Sequence, residues 1–147
     1  MTSNHLFRYD AFISYRHQEP DKTWVRQVFV PALETAGLQV CVDHRDFQLG
    51  APSVIEMARA VEESRTTVAV LTPAYLEGRF TELENALAEH VGLEERTVRL
   101  IYVVREPCEP PLRVRARLRL DLTTDEEVAT GLPRLFAALR PSRTGKD

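Results

Sequence analysis

The order of hydrophobic patterns constrains this chain most: short apolar runs alternate with stretches of helical periodicity. Tyr9 to Tyr15 (YDAFISY) is apolar or aromatic on both alternating faces, as in a strand covered on both sides. Trp24, Val25, Val28, Phe29, Ala32, Leu33 and Ala36 then repeat at helical spacing. Pro31 falls inside that run and is expected to kink or interrupt the helix, and Gly37 is a natural stop. Leu38 to Val42 is a second apolar run, followed by a polar loop, Asp43 to Gly50 (DHRDFQLG). Val54, Ile55, Met57, Ala58 and Val61 mark a second helix face, and Thr66 to Leu71 a third strand. Thr72-Pro73 reads as a capped helix start, with that helix running to about Val91.

Val98 to Val104 is a fourth strand, and the prolines at 107, 110 and 111 make the next stretch a loop. Arg113 to Leu120 (RVRARLRL) alternates with a period of two. Some or all of it reads as a strand with four arginines on one wet face, which suits an edge strand, where charge discourages edge pairing. Thr123/Glu126 and Thr124/Glu127 both fit a capping box before a last helix whose face is Val128, Leu132, Leu135, Phe136 and Leu139. Gly131 and Pro133 disturb its first turns. Alternating strands and helices, with strands too apolar for one-sided exposure, predict a three-layer α/β fold. The expected sheet is five-stranded, parallel and flavodoxin-like, in the order 2-1-3-4-5, with helices on both faces. Its ligands belong beyond the carboxyl ends of the strands. The 147 residues suit one domain over 1–140, with 141–147 as a flexible tail or the start of a linker.

Composition excludes several classes. No apolar run approaches the roughly 20 residues that span a bilayer, and the first ten residues lack a signal-peptide pattern. A net charge of -3 argues against nucleic acid as a direct partner, the arginine ladder at 113, 115, 117 and 119 notwithstanding. Cys41 and Cys108 have no metal-ligand spacing. Cys41 reads as a buried thiol, and both suit a reducing cytoplasm. No GxGxxG or GxxxxGK[ST] run is present, and the four histidines form no metal-spaced pair.

The remaining chemistry lies in three places. Glu84 shares a helix face with Phe80, Leu87, Ala88 and Val91, so its carboxylate is partly desolvated or paired. The bland reading is a boundary glutamate whose stem packs while its head reaches water. In the Asp43–Gly50 loop, Asp43 follows a strand end and Phe47 must find cover or a partner; an ordinary connection is as good a reading as a binding loop. Arg16 and His17 follow the first strand, where a solvated loop is the plain alternative to phosphate contact or stacking.

Taken together these motifs resemble the TIR (Toll/interleukin-1 receptor) domain family, over roughly residues 8 to 140. YDAFISY resembles its first box, and Arg45 to Gly50 its second, RDxxPG, with Leu49 in place of the proline. The runs Ala60 to Arg65, Leu71 to Leu76 and Phe80 to Glu84 are similar to three more of its elements. Phe80 stands where the family has a tryptophan and Gly78 where it has a serine. The third box, Phe-Trp, is absent, as in bacterial members. The resemblance implies a fork between NAD+ glycohydrolases and non-catalytic interaction modules, either adaptors or virulence mimics. Glu84 matches the enzymes' catalytic glutamate and tilts the expectation toward a bacterial NADase in antiphage, cell-suicide signalling. NAD+ is then the substrate and no cofactor is needed. The resemblance assigns Arg16, His17, Asp43, Phe47, Gly50 and Phe80 to the substrate pocket. It also implies homotypic self-association through the Asp43–Gly50 loop, a fused or separate sensor domain as activator, and a cytoplasmic location. A receiver-domain reading fails because no lysine occurs between Lys22 and Lys146.

Overall fold

The structure, a computed structural model, describes residues 7–94 and 99–140, with side chains for 7–88 and 100–140. The tail after Arg140, the residues before Phe7, Val98 and the side chain of Val91 lie outside the described residues. Five strands form one parallel sheet in the order β2-β1-β3-β4-β5: β1 (Tyr9–Ser14), β2 (Val40–Cys41), β3 (Ser64–Leu71), β4 (Arg99–Val104) and β5 (Arg119–Asp121). This is the expected flavodoxin-like order.

Double-sided burial follows from alternation along the strands. Ala11, Ile13, Tyr15, Val68, Val70 and Val103 face one core with Phe29, Leu33, Leu135 and Leu139. Phe12, Ala69, Leu71, Tyr102 and Val104 face the other with Met57, Tyr75, Phe80 and Leu83. Each large side chain removed from water in these layers contributes roughly 1.5–3 kcal/mol. The first core is covered by α1 (Asp21–Trp24), a π-helical turn (Val25–Phe29), α2 (Val30–Thr35) and α8 (Asp125–Leu139). The second is covered by α4 (Ser53–Glu63), α5 (Pro73–Leu76), α6 (Arg79–Glu94) and α7 (Leu112–Arg115).

The π turn is where Pro31 acts. Proline has no N–H to return to the preceding turn, and the wider turn just before it accommodates the ring. Gly37 stops α2 at φ 95°, a conformation that disfavours any residue with a Cβ. Pro133, by contrast, sits inside an unbroken α8. Gly131 belongs to the same helix, where a Cβ would lie 2.8 Å from the Leu122 side chain; its bareness lets α8 approach the sheet.

Three local expectations are corrected and a fourth is narrowed. The loop after β2 opens with a helical turn, α3 (Asp43–Asp46). Val54 and Ile55 are 50% and 58% exposed, because the first turn of α4 leaves the carboxyl edge of the sheet before the helix reaches the core. The expected single helix from Pro73 to Val91 is two helices, α5 and α6, separated at Glu77–Gly78. Of the arginine-rich run only the end is strand: Val114 is fully buried and anchors the turn α7, leaving Arg119–Asp121 to pair with β4. Burial of one valine outweighs the two-residue period.

Thr72 links these layers. Its Oγ1 accepts from the Tyr75 N–H at 3.2 Å, capping α5, and donates to Asp21 Oδ2 at 2.7 Å. Asp21 is only 3% exposed. Thr72→Ala removes a cap and the hydroxyl donor of a buried carboxylate, and is expected to cost about 2–4 kcal/mol in urea denaturation. Thr72→Ser keeps the hydroxyl and should recover most of that stability.

Candidate functional site

At the carboxyl ends of β1 and β2 the chain buries a carboxylate. Asp43 is 7% exposed. Its Oδ1 accepts from the Tyr15 hydroxyl at 2.9 Å and the His44 N–H at 2.7 Å. Its Oδ2 accepts from Arg79 at 3.0 Å and pairs with His17 Nε2. Burial by itself would raise the Asp43 pKa, but the bond from His17, together with Tyr15 and the Arg79 charge, holds it below the ordinary carboxylate value. The Tyr15 hydroxyl also accepts from Arg26 Nε at 2.7 Å, and burial pushes its pKa up to about 12. Arg79, the first residue of α6, reaches Glu82 as well, at 2.6 Å, while its Nε is buried without a partner among the described residues.

Glu84 lies one turn further along α6 and faces a different way. Arg113 Nε donates to its Oε2 at 2.6 Å, and the Arg113 terminal nitrogen pairs with the same oxygen. The Glu84 side chain is 31% exposed. The core stripe of α6 is Phe80, Leu83 and Ala86, with Leu87 half-buried and Ala88 exposed, so Glu84 borders the stripe rather than lying on it.

The structure therefore divides the residues expected to form one pocket. His17 and Asp43 join with Tyr15 and Arg79. Phe80 lies beneath the Glu84 pair, but its ring is 3% exposed and packed against Tyr75 and Tyr102 at centroid distances of 5.8 and 6.3 Å. With its faces covered by core rings and the Arg113 guanidinium, Phe80 offers no open surface for stacking in this conformation. Phe47 packs on Phe12 at 6.0 Å, the cover that its place in a polar loop demanded. Arg16 turns to Gln18 at 2.6 Å, at the surface. Gly50, at φ 85°, shapes an exposed turn and brings no side chain.

Sequence reasoning missed Arg79, Tyr15, Arg113 and a brace under the loop. Glu56 is 5% exposed, accepts from the Gln48 N–H at 3.0 Å and pairs with Arg59; the bond from Arg59 lowers its pKa. Arg45 and Asp46 of the second box are structural. Arg45 donates to the Val40 carbonyl at 2.7 Å, and Asp46 accepts from the Val42 N–H at 2.9 Å. Arg79 carried one legible signal: a cation at a helix start opposes the macrodipole, so it needs a specific anionic partner. Cys41 is the buried thiol expected, its pKa raised to about 12 by burial. A cavity of about 230 Å³ lies apart from Glu84, beside Trp24, Arg105 and Thr123. Among the described residues no cluster of His, Cys, Asp or Glu is placed to hold a metal ion, and no helix is long and apolar enough to cross a membrane.

An α/β sheet of this order, with a second-box loop after β2 and an acidic helix after β3, defines a class that comparison with known proteins identifies. The family model described as TIR domain matches residues 11–136, and the chain belongs to that family. Human Toll-like receptor 6 is 32% identical over 100 residues, 68% of this chain and 12% of the receptor. Protein toll of Drosophila melanogaster is 28% identical over 135 residues, 90% of this chain and again 12% of the relative. The chain thus spans about an eighth of these relatives' length. Among solved structures, the TIR domain of the Toll-related receptor TRR-2 of Hydra magnipapillata superposes with TM-score 0.76 at 25% identity, covering 90% of this chain and 99% of that one. A metazoan TIR-STING receptor from C. gigas shares the fold at TM-score 0.72 and 22% identity, over 93% of this chain and 41% of that one.

Asp43→Ala strands Arg79 and the Tyr15 hydroxyl and is expected to cost about 3–5 kcal/mol in denaturant unfolding. The pH dependence has a definite sign. With its folded pKa depressed, Asp43 contributes stability that is full above the unfolded value of about 3.9 and is lost as pH falls through the folded value. Asp43→Asn should therefore show a flatter loss of stability below about pH 4 than the native chain.

Proposed function

We propose that this chain is an NAD+ glycohydrolase whose catalytic residue is Glu84. The observation that carries the reading is the Glu84 carboxylate, held at the border of the α6 core stripe, partly exposed and beside a cluster of aromatic rings. It stands at the position that the family resemblance marks as catalytic in the enzymes. The chemistry suits one carboxylate. The C1′–N bond breaks with its electron pair going to the pyridinium nitrogen, so nicotinamide leaves neutral without a general acid. The ribose gains oxocarbenium character, which the carboxylate stabilises. Water adds its oxygen to C1′ and releases one proton, giving ADP-ribose; attack from within the molecule gives a cyclic isomer instead.

Phe80 and Phe47 serve this site from beneath rather than by stacking on the substrate. His17, Asp43 and Arg79 fix the start of α6, and Gly50 lets the loop turn. Arg16, half-buried and bonded to Gln18, contributes at most a peripheral phosphate contact. Self-association through the Asp43–Gly50 loop completes the pocket and activates it in response to a sensor domain. This fits a cytoplasmic antiphage role for a bacterial member. Leu49, 97% exposed at the tip of the loop, suits that contact.

A second reading has its own support. The likeness to Toll receptors and the exposed Leu49 both suit a non-catalytic interaction module. Nicotinamide release by concentrated protein, followed for the native chain and Glu84→Gln, separates the two. An enzyme should release nicotinamide, and Glu84→Gln should reduce the rate by about 10²–10³-fold. No release at any protein concentration or with a crowding agent selects the interaction module. Equal release by the variant removes Glu84 from the catalytic role.

A further inference from the structure

Arg113 occupies the carboxylate on which the proposed reaction depends. Both of its contacts fall on Glu84 Oε2, and its guanidinium carbon stands 5.9 Å from the centre of the Phe80 ring. A carboxylate neutralised by a guanidinium is a poor stabiliser of an oxocarbenium ion, and the same guanidinium repels the cationic pyridinium. Something must draw Arg113 away before Glu84 can act. The pair is placed for exchange: Arg113 is 61% exposed, on the four-residue turn α7, which Val114 anchors from beneath.

The surroundings define what takes Arg113. Arg115 and Arg117 lie exposed just beyond it on the same segment, and Arg117 donates to the Leu100 carbonyl on β4 at 3.4 Å. The segment that carries Arg113 is therefore rich in guanidinium groups. These bind phosphate oxygens through paired N–H donors and with more geometric specificity than an ammonium does. A nicotinamide nucleoside without phosphate brings only positive charge to this segment. One carrying a diphosphate brings the anion that competes with Glu84 for Arg113.

We propose that Arg113 is a specificity-determining residue that keeps Glu84 paired until the phosphates of the substrate take up its guanidinium, so that phosphate-bearing nicotinamide nucleotides are cleaved and nicotinamide riboside is not. The proposal rests on the NAD+ glycohydrolase reading for its catalytic consequence. The exchange of partners by Arg113 is measurable without turnover.

Two measurements test it. In the first, nicotinamide release from NAD+ and from nicotinamide riboside is compared in the native chain, Arg113→Gln and the control Arg134→Gln, exposed on α8. The native chain and the control should favour NAD+ strongly. Arg113→Gln should raise the riboside-to-NAD+ rate ratio on the order of tenfold, with a higher KM for NAD+. An unchanged ratio, or native riboside cleavage as fast as that of NAD+, overturns the proposal. In the second, inorganic pyrophosphate is titrated while the Arg113 Nε–H resonance is followed by NMR. Pyrophosphate should shift that resonance, and Glu84→Gln should bind pyrophosphate roughly fivefold tighter because the competing carboxylate is gone. No shift, or equal affinity in Glu84→Gln, overturns the exchange whatever the activity. Tighter pyrophosphate binding without nicotinamide release from any protein leaves the exchange standing and removes the NAD+ glycohydrolase reading alone.

Discussion

The carboxylate of Asp43 is the point at which four parts of the fold meet. Tyr15 reaches it from the end of β1, His17 from the loop beyond, the His44 N–H from the start of α3, and Arg79 from the first residue of α6. A buried ion pair of this kind adds little net stability compared with an apolar replacement, because both charges lose their water. What it supplies is direction. Removing either partner leaves a charge stranded, so the start of α6 is held to the ends of β1 and β2 in one arrangement. The loop after β2 is fixed from its other side by Glu56, which takes the Gln48 N–H while paired to Arg59.

Glu84 inherits its placement from that anchoring. Arg79 and Glu84 are five residues apart, roughly 140° around the helix, so one helix presents a cation to Asp43 and an anion to Arg113. The two clusters are electrically complementary but spatially distinct, and Phe80 lies beneath the Glu84–Arg113 pair as part of the core. Thr72 and Asp21 brace the preceding short helix from the opposite layer of the sheet. The candidate site is thus a rigid framework carrying one exchangeable ion pair, and chemistry at Glu84 is governed by what competes for Arg113.

Much of this was legible before any coordinates. The two-sided apolar character of YDAFISY and of the runs ending at Leu71 and Val104 permitted only a sheet covered on both faces. Strand-helix alternation then left a parallel sheet of order 2-1-3-4-5. Glu84 was legible as a carboxylate at an apolar border, and His17 and Asp43 as polar residues at strand ends. Phe80 and Phe47 were legible as aromatic side chains that need cover, but sequence spacing does not record whether core or ligand supplies it; the core rings cover both here.

The linear pattern determined the fold class, the strand order, the buried Cys41 thiol and the helix that carries Glu84, because all of these follow from local periodicity and from the cost of exposing apolar surface. Only the tertiary structure decided the partners of the charges. Arg79 meets Asp43 across 36 residues, and Arg113 meets Glu84 across 29. The alternation of Arg113 to Leu120 resembled a strand, yet burial of Val114 turned it into a helical corner and sent one of its arginines to the carboxylate. Coulomb attraction acts through space without regard to sequence separation. Which cation neutralises a given anion is therefore fixed by packing, and packing is a property of the whole fold.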